Sequence, residues 1–115
     1  MLQCRHKIKE DINLINDEIS KVLKQRSLLH IENDFEIEKC REKLIKLLSQ
    51  NEFQTINFLD NCGKDEALWI SEVFEEVAYN LQSEEYIKCL KRLDKKFSDL
   101  NLTDFVKTAV EFMDL

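Results

Sequence analysis

The side chains best suited to metal binding or nucleophilic chemistry in this sequence are two histidines and four cysteines. Their spacing does not assemble a site. Cys4 stands two residues before His6, and Glu32 two after His30, but no H-E-x-x-H run supplies two imidazoles and a carboxylate on one helix face. Cys4, Cys40, Cys62 and Cys89 contain no C-x-x-C pair, so neither a zinc knuckle nor a thioredoxin-type site is indicated, and they read as reduced, mostly buried thiols. Glu72 and Glu76 fall at i, i+4, the spacing of helical carboxylate metal ligands, without the Glu-x-x-His partner such bundles use. Gly63, the single glycine, cannot build a phosphate-binding loop alone. No catalytic residue, metal or cofactor is assigned, and the chain is read as not an enzyme.

What stands out instead is a concentration of acid and aromatic side chains. From Glu52 to Tyr86 there are nine acids (Glu52, Asp60, Asp65, Glu66, Glu72, Glu75, Glu76, Glu84 and Glu85) against Lys64, together with the only Trp and both Tyr residues. Net charge is −6, but residues 1–50 hold ten bases and nine acids, whereas residues 51–115 hold seven and fourteen. Acids steer association toward basic surfaces, and Tyr and Trp serve as binding anchors. Direct nucleic-acid binding is disfavoured, because the basic residues Lys91, Arg92, Lys95 and Lys96 adjoin a strongly anionic stretch and the chain is not basic overall.

The elements that must position these groups are helices. With no proline and one glycine in 115 residues, hairpin and tight-turn punctuation is missing. The length suits one domain, 1–115, and 43% hydrophobic with 35% charged residues is an ordinary globular balance. Neither a secretory leader nor a membrane-spanning run is present in the pattern, so the expectation is a cytoplasmic protein that makes no membrane contact.

Ile8, Ile12, Ile15, Ile19, Val22 and Leu29 alternate steps of four and three, with Arg26 filling one seam position; this predicts a long amphipathic helix over about Arg5–Leu29. A break at Asn33-Asp34 leads to a second helix over about Phe35–Ser49, burying Ile37, Cys40, Leu44, Leu47 and Leu48. A third spans about Glu52–Asn61, with Phe53, Ile56 and either Leu59 or Phe58 inward, and Gly63 is expected as its left-handed C-terminal residue. A fourth runs over Asp65–Leu81. A fifth follows the Ser83 cap to about Phe97, with Tyr86, Leu90, Leu93 and Phe97 on one side. After a loop at Ser98–Leu102, Thr103-Asp104 caps a last helix through Met113, buried by Phe105 or Val106, Ala109, and Phe112 or Met113. The fold class is therefore all-α, a compact bundle of about five to six helices with a long N-terminal helix.

Projected at 100° per residue, the fourth helix has an apolar face of Ile70, Val73, Phe74, Val77 and Leu81 and an opposite face of Asp65, Glu72, Glu76 and Tyr79, bordered by Glu75, Leu68 and Trp69. The acids on that face have no cation on their own helix, and like charges at this spacing cost a few tenths of a kcal/mol per pair. The pattern leaves open whether Trp69 is a surface anchor or is packed beneath the first helix. Glu84, Glu85 and Tyr86 extend the same chemistry into the next helix. The candidate partner-binding residues are Asp65, Trp69, Glu72, Glu75, Glu76, Tyr79, Glu84 and Glu85.

The segments Phe58-Leu59-Asp60-Asn61-Cys62, Trp69-Ile70-Ser71-Glu72-Val73-Phe74-Glu75-Glu76-Val77 and Gln82-Ser83-Glu84-Glu85-Tyr86-Ile87-Lys88-Cys89-Leu90 resemble the small all-helical immunity proteins that bacteria encode beside polymorphic or contact-dependent growth inhibition toxins. The resemblance covers roughly Glu52–Leu100, and Ser98 stands where that pattern has proline. It implies a cytosolic antitoxin that binds one cognate toxin domain, often a nuclease, and blocks its active site or its access to substrate. A basic nuclease groove would accept the acidic helix face, so charge reversal of Glu72 and Glu76 together is expected to weaken binding with little change in helicity. The competing expectation is a helical adaptor or chaperone-like protein, homodimeric through its N-terminal helix. Between the two, a monomer is favoured.

Overall fold

The alternating apolar spacing of the sequence closes into helices joined by connections of a few residues. The computed structural model describes the backbone of residues 2–113 and the side chains of residues 14–113. Helix α1 spans Leu2–Leu28, α2 Asp34–Leu48, α3 Glu52–Asn61, α4 Lys64–Ile70, α5 Phe74–Leu81, α6 Glu84–Lys96 and α7 Thr103–Glu111, with single 3₁₀ turns at Ser71–Val73 and Ser98–Leu100. No strand occurs among the described residues, and the fold is an all-α bundle. Because α4, the first 3₁₀ turn and α5 form one bent rod, the described residues make six helical rods, within the expected count.

That bent rod is the centre of the molecule. Ala67, Ile70, Val73, Phe74, Val77 and Ala78 along it are all essentially inaccessible to solvent. The α1–α2 hairpin packs on one flank, while α6 and α7 close the other and α3 lies against α6. Leu44 and Leu48 of α2, Leu59 of α3, Leu90 of α6 and Leu102 before α7 complete one continuous core. Tyr86 is buried with them, and its hydroxyl donates to the Phe74 carbonyl at 3.1 Å. The aromatic chemistry expected to continue at Tyr86 is thus turned inward, where burial pushes its phenol well above the usual range.

Local chemistry sets the helix ends. Asn51 Oδ1 accepts from Gln54 N–H at 3.1 Å to start α3, and Ser83 Oγ accepts from Tyr86 N–H at 3.1 Å to start α6. Buried Thr55 donates to the Leu48 carbonyl at 2.5 Å, satisfying a C-terminal acceptor of α2 with an α3 side chain. Gly63 departs from the expectation of a left-handed residue ending α3. Its φ is −83° and ψ 171°, it stands at the N-cap of α4, and its N–H donates to Glu66 at 3.0 Å. The left-handed positions are Gln82 (φ 46°) and Asn101 (φ 56°), which end α5 and the second 3₁₀ turn. Leu102, rather than Thr103 or Asp104, occupies the N-cap position of α7, and the Thr103 hydroxyl turns to Asp94 at 2.8 Å.

Cys40, Cys62 and Cys89 are free and buried, and burial raises all three thiols, Cys62 to about 11 and Cys89 to about 12. They therefore pack as small apolar groups, not as nucleophiles. Cys4, His6, Ile8 and Ile12 lie outside the described side chains. No described helix is long and apolar enough to cross a membrane.

Candidate protein-docking face

The bend in the central rod decides where its acids point. At Ser71–Val73 the helix tightens into a 3₁₀ turn, the Ser71 hydroxyl donates back to the Leu68 carbonyl at 2.5 Å, and Val73 leaves helical geometry at φ −123°, ψ 13°. The turn keeps Ile70, Val73 and Phe74 all in the core and separates an upstream acidic group from a downstream one.

Within the turn itself, Glu72 is an internal ion-pair partner. Arg26 Nε and Nη2 donate to its two carboxylate oxygens at 2.8 and 2.9 Å, and Arg41 Nη2 donates to Oε2 at 2.6 Å. Arg26, only 8% exposed, is the cation that interrupted the apolar seam of α1, and its guanidinium also lies over the Trp69 ring at 4.5 Å. Trp69 is half-buried against α1 in consequence. Burial pushes the Glu72 carboxyl upward, but the hydrogen bonds and charges of Arg26 and Arg41 outweigh it and hold the group below its ordinary range. The repulsion inferred within the helix is thus answered at Glu72 by cations from two other helices. Asp65 is exposed and lines a cleft of about 480 Å³ that also involves Trp69, Leu68 and Lys24.

Glu76 lies toward α2. One of its carboxylate oxygens is buried without a hydrogen-bond partner, and burial, with Glu75 and Glu38 nearby, raises its pKa although Arg41 partly offsets this. Glu75 projects on the other side, toward α7. Glu84 and Glu85 stand on a different element, exposed in the first turn of α6, where Glu85 pairs with Lys88 at 3.2 Å.

Helices α5 and α7 lie side by side and run in the same direction. Glu75 and Phe105 share a cleft of about 190 Å³ near their N-terminal ends, and Tyr79 and Phe112 share one of about 660 Å³ near their C-terminal ends. The Gln82 amide ties those C-terminal ends together, donating at 2.9 Å to both the Tyr79 and the Phe112 carbonyls. The result is a double row: Glu75 and Tyr79 at i, i+4 on α5, beside Phe105, Thr108 and Phe112 at i, i+3, i+7 on α7. Tyr79 is 65% exposed, Phe105 48% and Phe112 43%.

Phe105 and Phe112 carry no role in the sequence reading, which weighed them only as possible core residues. Val106 takes the core position next to Phe105, and Met113 is the partly buried member of its pair. Phe105, Ala109 and Phe112 fall on one side of α7 at i, i+4, i+7, so periodicity alone does not separate the exposed rings from the buried alanine.

Of the expected binding residues, half-buried Glu75 and exposed Tyr79 are thus brought to one acidic and aromatic surface, Glu76 faces α2 on the other side of the rod, and Glu72 and Trp69 are tied to Arg26. No three His, Cys, Asp or Glu side chains gather where they could hold a metal ion among the described residues. No protein-family model matches the chain, and no curated protein or solved structure matches it either.

Proposed function

We propose that this chain is an immunity protein that binds and neutralises a cognate bacterial toxin domain, often a nuclease in such pairs, through the α5–α7 face. The observation that supports this reading most is the row of exposed Tyr79, Phe105 and Phe112 with half-buried Glu75 on two parallel helices. Stiff aromatic side chains lose little conformational entropy on docking and bury large areas, and a flanking carboxylate favours a basic partner. The resemblance of Trp69–Val77 and Gln82–Leu90 to small helical immunity proteins gives the same partner class. In this reading Glu72 and Trp69 act inside the protein, holding the rod that presents the face, and the contact surface moves from Glu72 to Glu75 and toward α7.

The test is titration of the purified toxin domain with wild type, Tyr79→Ala, Phe105→Ala and Glu75→Lys proteins of equal helicity. Truncating a central aromatic anchor is expected to weaken binding by about 2 kcal/mol or more, some thirtyfold. Glu75→Lys should slow association and flatten its salt dependence. Unchanged affinity in all three variants removes this face. The rival reading, an adaptor dimer through α1, draws on Leu14, which α1 leaves 61% exposed; a dimer abolished by Leu14→Lys would favour it.

A further inference from the structure

The acidic face is not the only place where like charges gather. Helices α1 and α2 leave between them an open cleft of about 460 Å³ whose apolar floor includes Val22 and Leu47 and whose walls carry Lys21, Lys43 and Lys46. None of the three lysines is ion-paired to a carboxylate among the described residues, and only Glu18 opposes them in the cleft. Lys43 and Lys46, at i, i+3, repel one another on one helix. This cationic cleft belongs to a chain of net charge −6.

Its counterpart stands elsewhere on the same molecule. The α5–α7 face has the inverse pattern, with Tyr79 and Phe112 at its centre and Glu75 and Glu111 at its edges. Cleft and face are built from different helices, α1 with α2 and α5 with α7, so they do not share a lining residue. We infer that the α1–α2 cleft receives the α5–α7 face of a second copy of this chain, giving a weak, salt-sensitive, head-to-tail self-association.

An aromatic ring of one copy covers Val22 and Leu47 of the other, while carboxylates meet the lysines. The contact is heterologous: each copy in a pair keeps one unused cleft or one unused face, so growth continues unless the rotation closes a ring. Exposed ion pairs are individually worth little and are screened beyond about 8 Å at physiological salt, so the association is favoured by high protein concentration and low salt. It covers the face assigned to the toxin domain, and it does not depend on that assignment being right.

Sedimentation velocity tests it with the full chain. The mass is expected to rise above 13.7 kDa as concentration increases from micromolar to millimolar at low salt, and to return to the monomer value in high salt. Two variants, each altered at exposed or half-exposed positions and checked for unchanged helicity, separate the two surfaces: Lys21→Gln/Lys43→Glu in the cleft and Glu75→Gln/Tyr79→Ser on the face. Each alone should remain monomeric. Mixed, they should form pairs of twice the chain mass and nothing larger, because one supplies an intact face and the other an intact cleft. A wild-type protein that stays monomeric throughout overturns the inference. So does association that persists in both variants, which would place the contact on another surface such as α1, and so does failure of the mixture to pair.

Discussion

Replacing Glu72 by Gln removes the charge that Arg26 and Arg41 share while keeping side-chain volume. Arg26 is 8% exposed and fixed by two hydrogen bonds of 2.8 and 2.9 Å, so its guanidinium remains buried against Trp69 with a neutral amide in place of the carboxylate. Breaking a fully buried pair costs about 3–5 kcal/mol. The Glu72 side chain keeps 18% exposure and Arg41 keeps 36%, so water screens part of the loss, and about 2–3 kcal/mol is expected. A domain of this size has a total stability of roughly 6–17 kcal/mol, so that is a large fraction. Urea unfolding reads it directly: with a slope of about 1–3 kcal/mol/M the midpoint should fall by roughly 0.7–3 M at unchanged slope. Arg26→Met should cost a similar amount, and the double variant should cost clearly less than the sum, because removing both partners leaves no uncompensated pair between them. A Glu72→Gln midpoint within error of wild type, or strict additivity, would refute the view that this ion pair organises the fold. The same reasoning changes the expectation for charge reversal. A Glu72→Lys substitution sets a third cation against two arginines, so the double reversal at Glu72 and Glu76 disturbs folding before it can report on binding.

Other consequences follow from the acids and from Gly63. Glu76 has a raised pKa through burial, so the folded state holds its proton more tightly than the unfolded state; the stability this gives is present below about pH 4.5 and is lost as pH rises through the folded value. Glu76→Gln should therefore stabilise the protein at pH 7, by less than ~1 kcal/mol, with the gain shrinking toward pH 4 in parallel melts; a destabilised variant at pH 7 would contradict the burial argument. Glu72 behaves oppositely: its pKa is lowered, so its contribution is present above about pH 4.5 and is lost as pH falls through the folded value, and acid unfolding should be less steep in Glu72→Gln. Gly63→Ser should stabilise by ~1 kcal/mol, raising Tm by about 4 °C, since the backbone there is extended, a new Cβ would meet only Glu66 Oε1 at an ordinary 3.7 Å, and Ser adds an N-cap acceptor. A lowered Tm would instead favour the left-handed conformation suggested by sequence.

Much of the scaffold was legible because burial imposes a helical period. The stripe Ile37, Cys40, Leu44 and Leu48 specified α2, and Ser83 marked the start of α6 through cap chemistry that needs only local spacing. The α3 span Glu52–Asn61 coincides with the expectation, but Phe53, expected inward, is 78% exposed, and Thr55, Phe58 and Leu59 form the buried side. The bend at Ser71–Val73 was not legible, since neither proline nor glycine marks it and the backbone distortion follows from packing Ile70, Val73 and Phe74 together. Arg26 could be seen interrupting a seam, but its partner is 46 residues away, and a single sequence cannot show that pairing. For the same reason the acids of the rod looked uniformly unanswered, when two arginines answer Glu72 and one side of the rod meets α7. Phe105 and Phe112 were misweighed because a pattern of under three turns on a short helix does not say which stripe meets the core until Val106 and Ala109 are seen buried.

The central claim concerns what the α5–α7 face meets, and one measurement bears on it most directly. The neighbouring open reading frame should encode a large secreted protein with a C-terminal toxin domain, and expression of that domain in cells should be lethal. Co-expression of this chain should restore growth, and Tyr79→Ala/Phe105→Ala protein, folded and equally abundant, should not. Continued killing with both wild-type proteins soluble would contradict the immunity reading, and full rescue by the double variant would contradict the face.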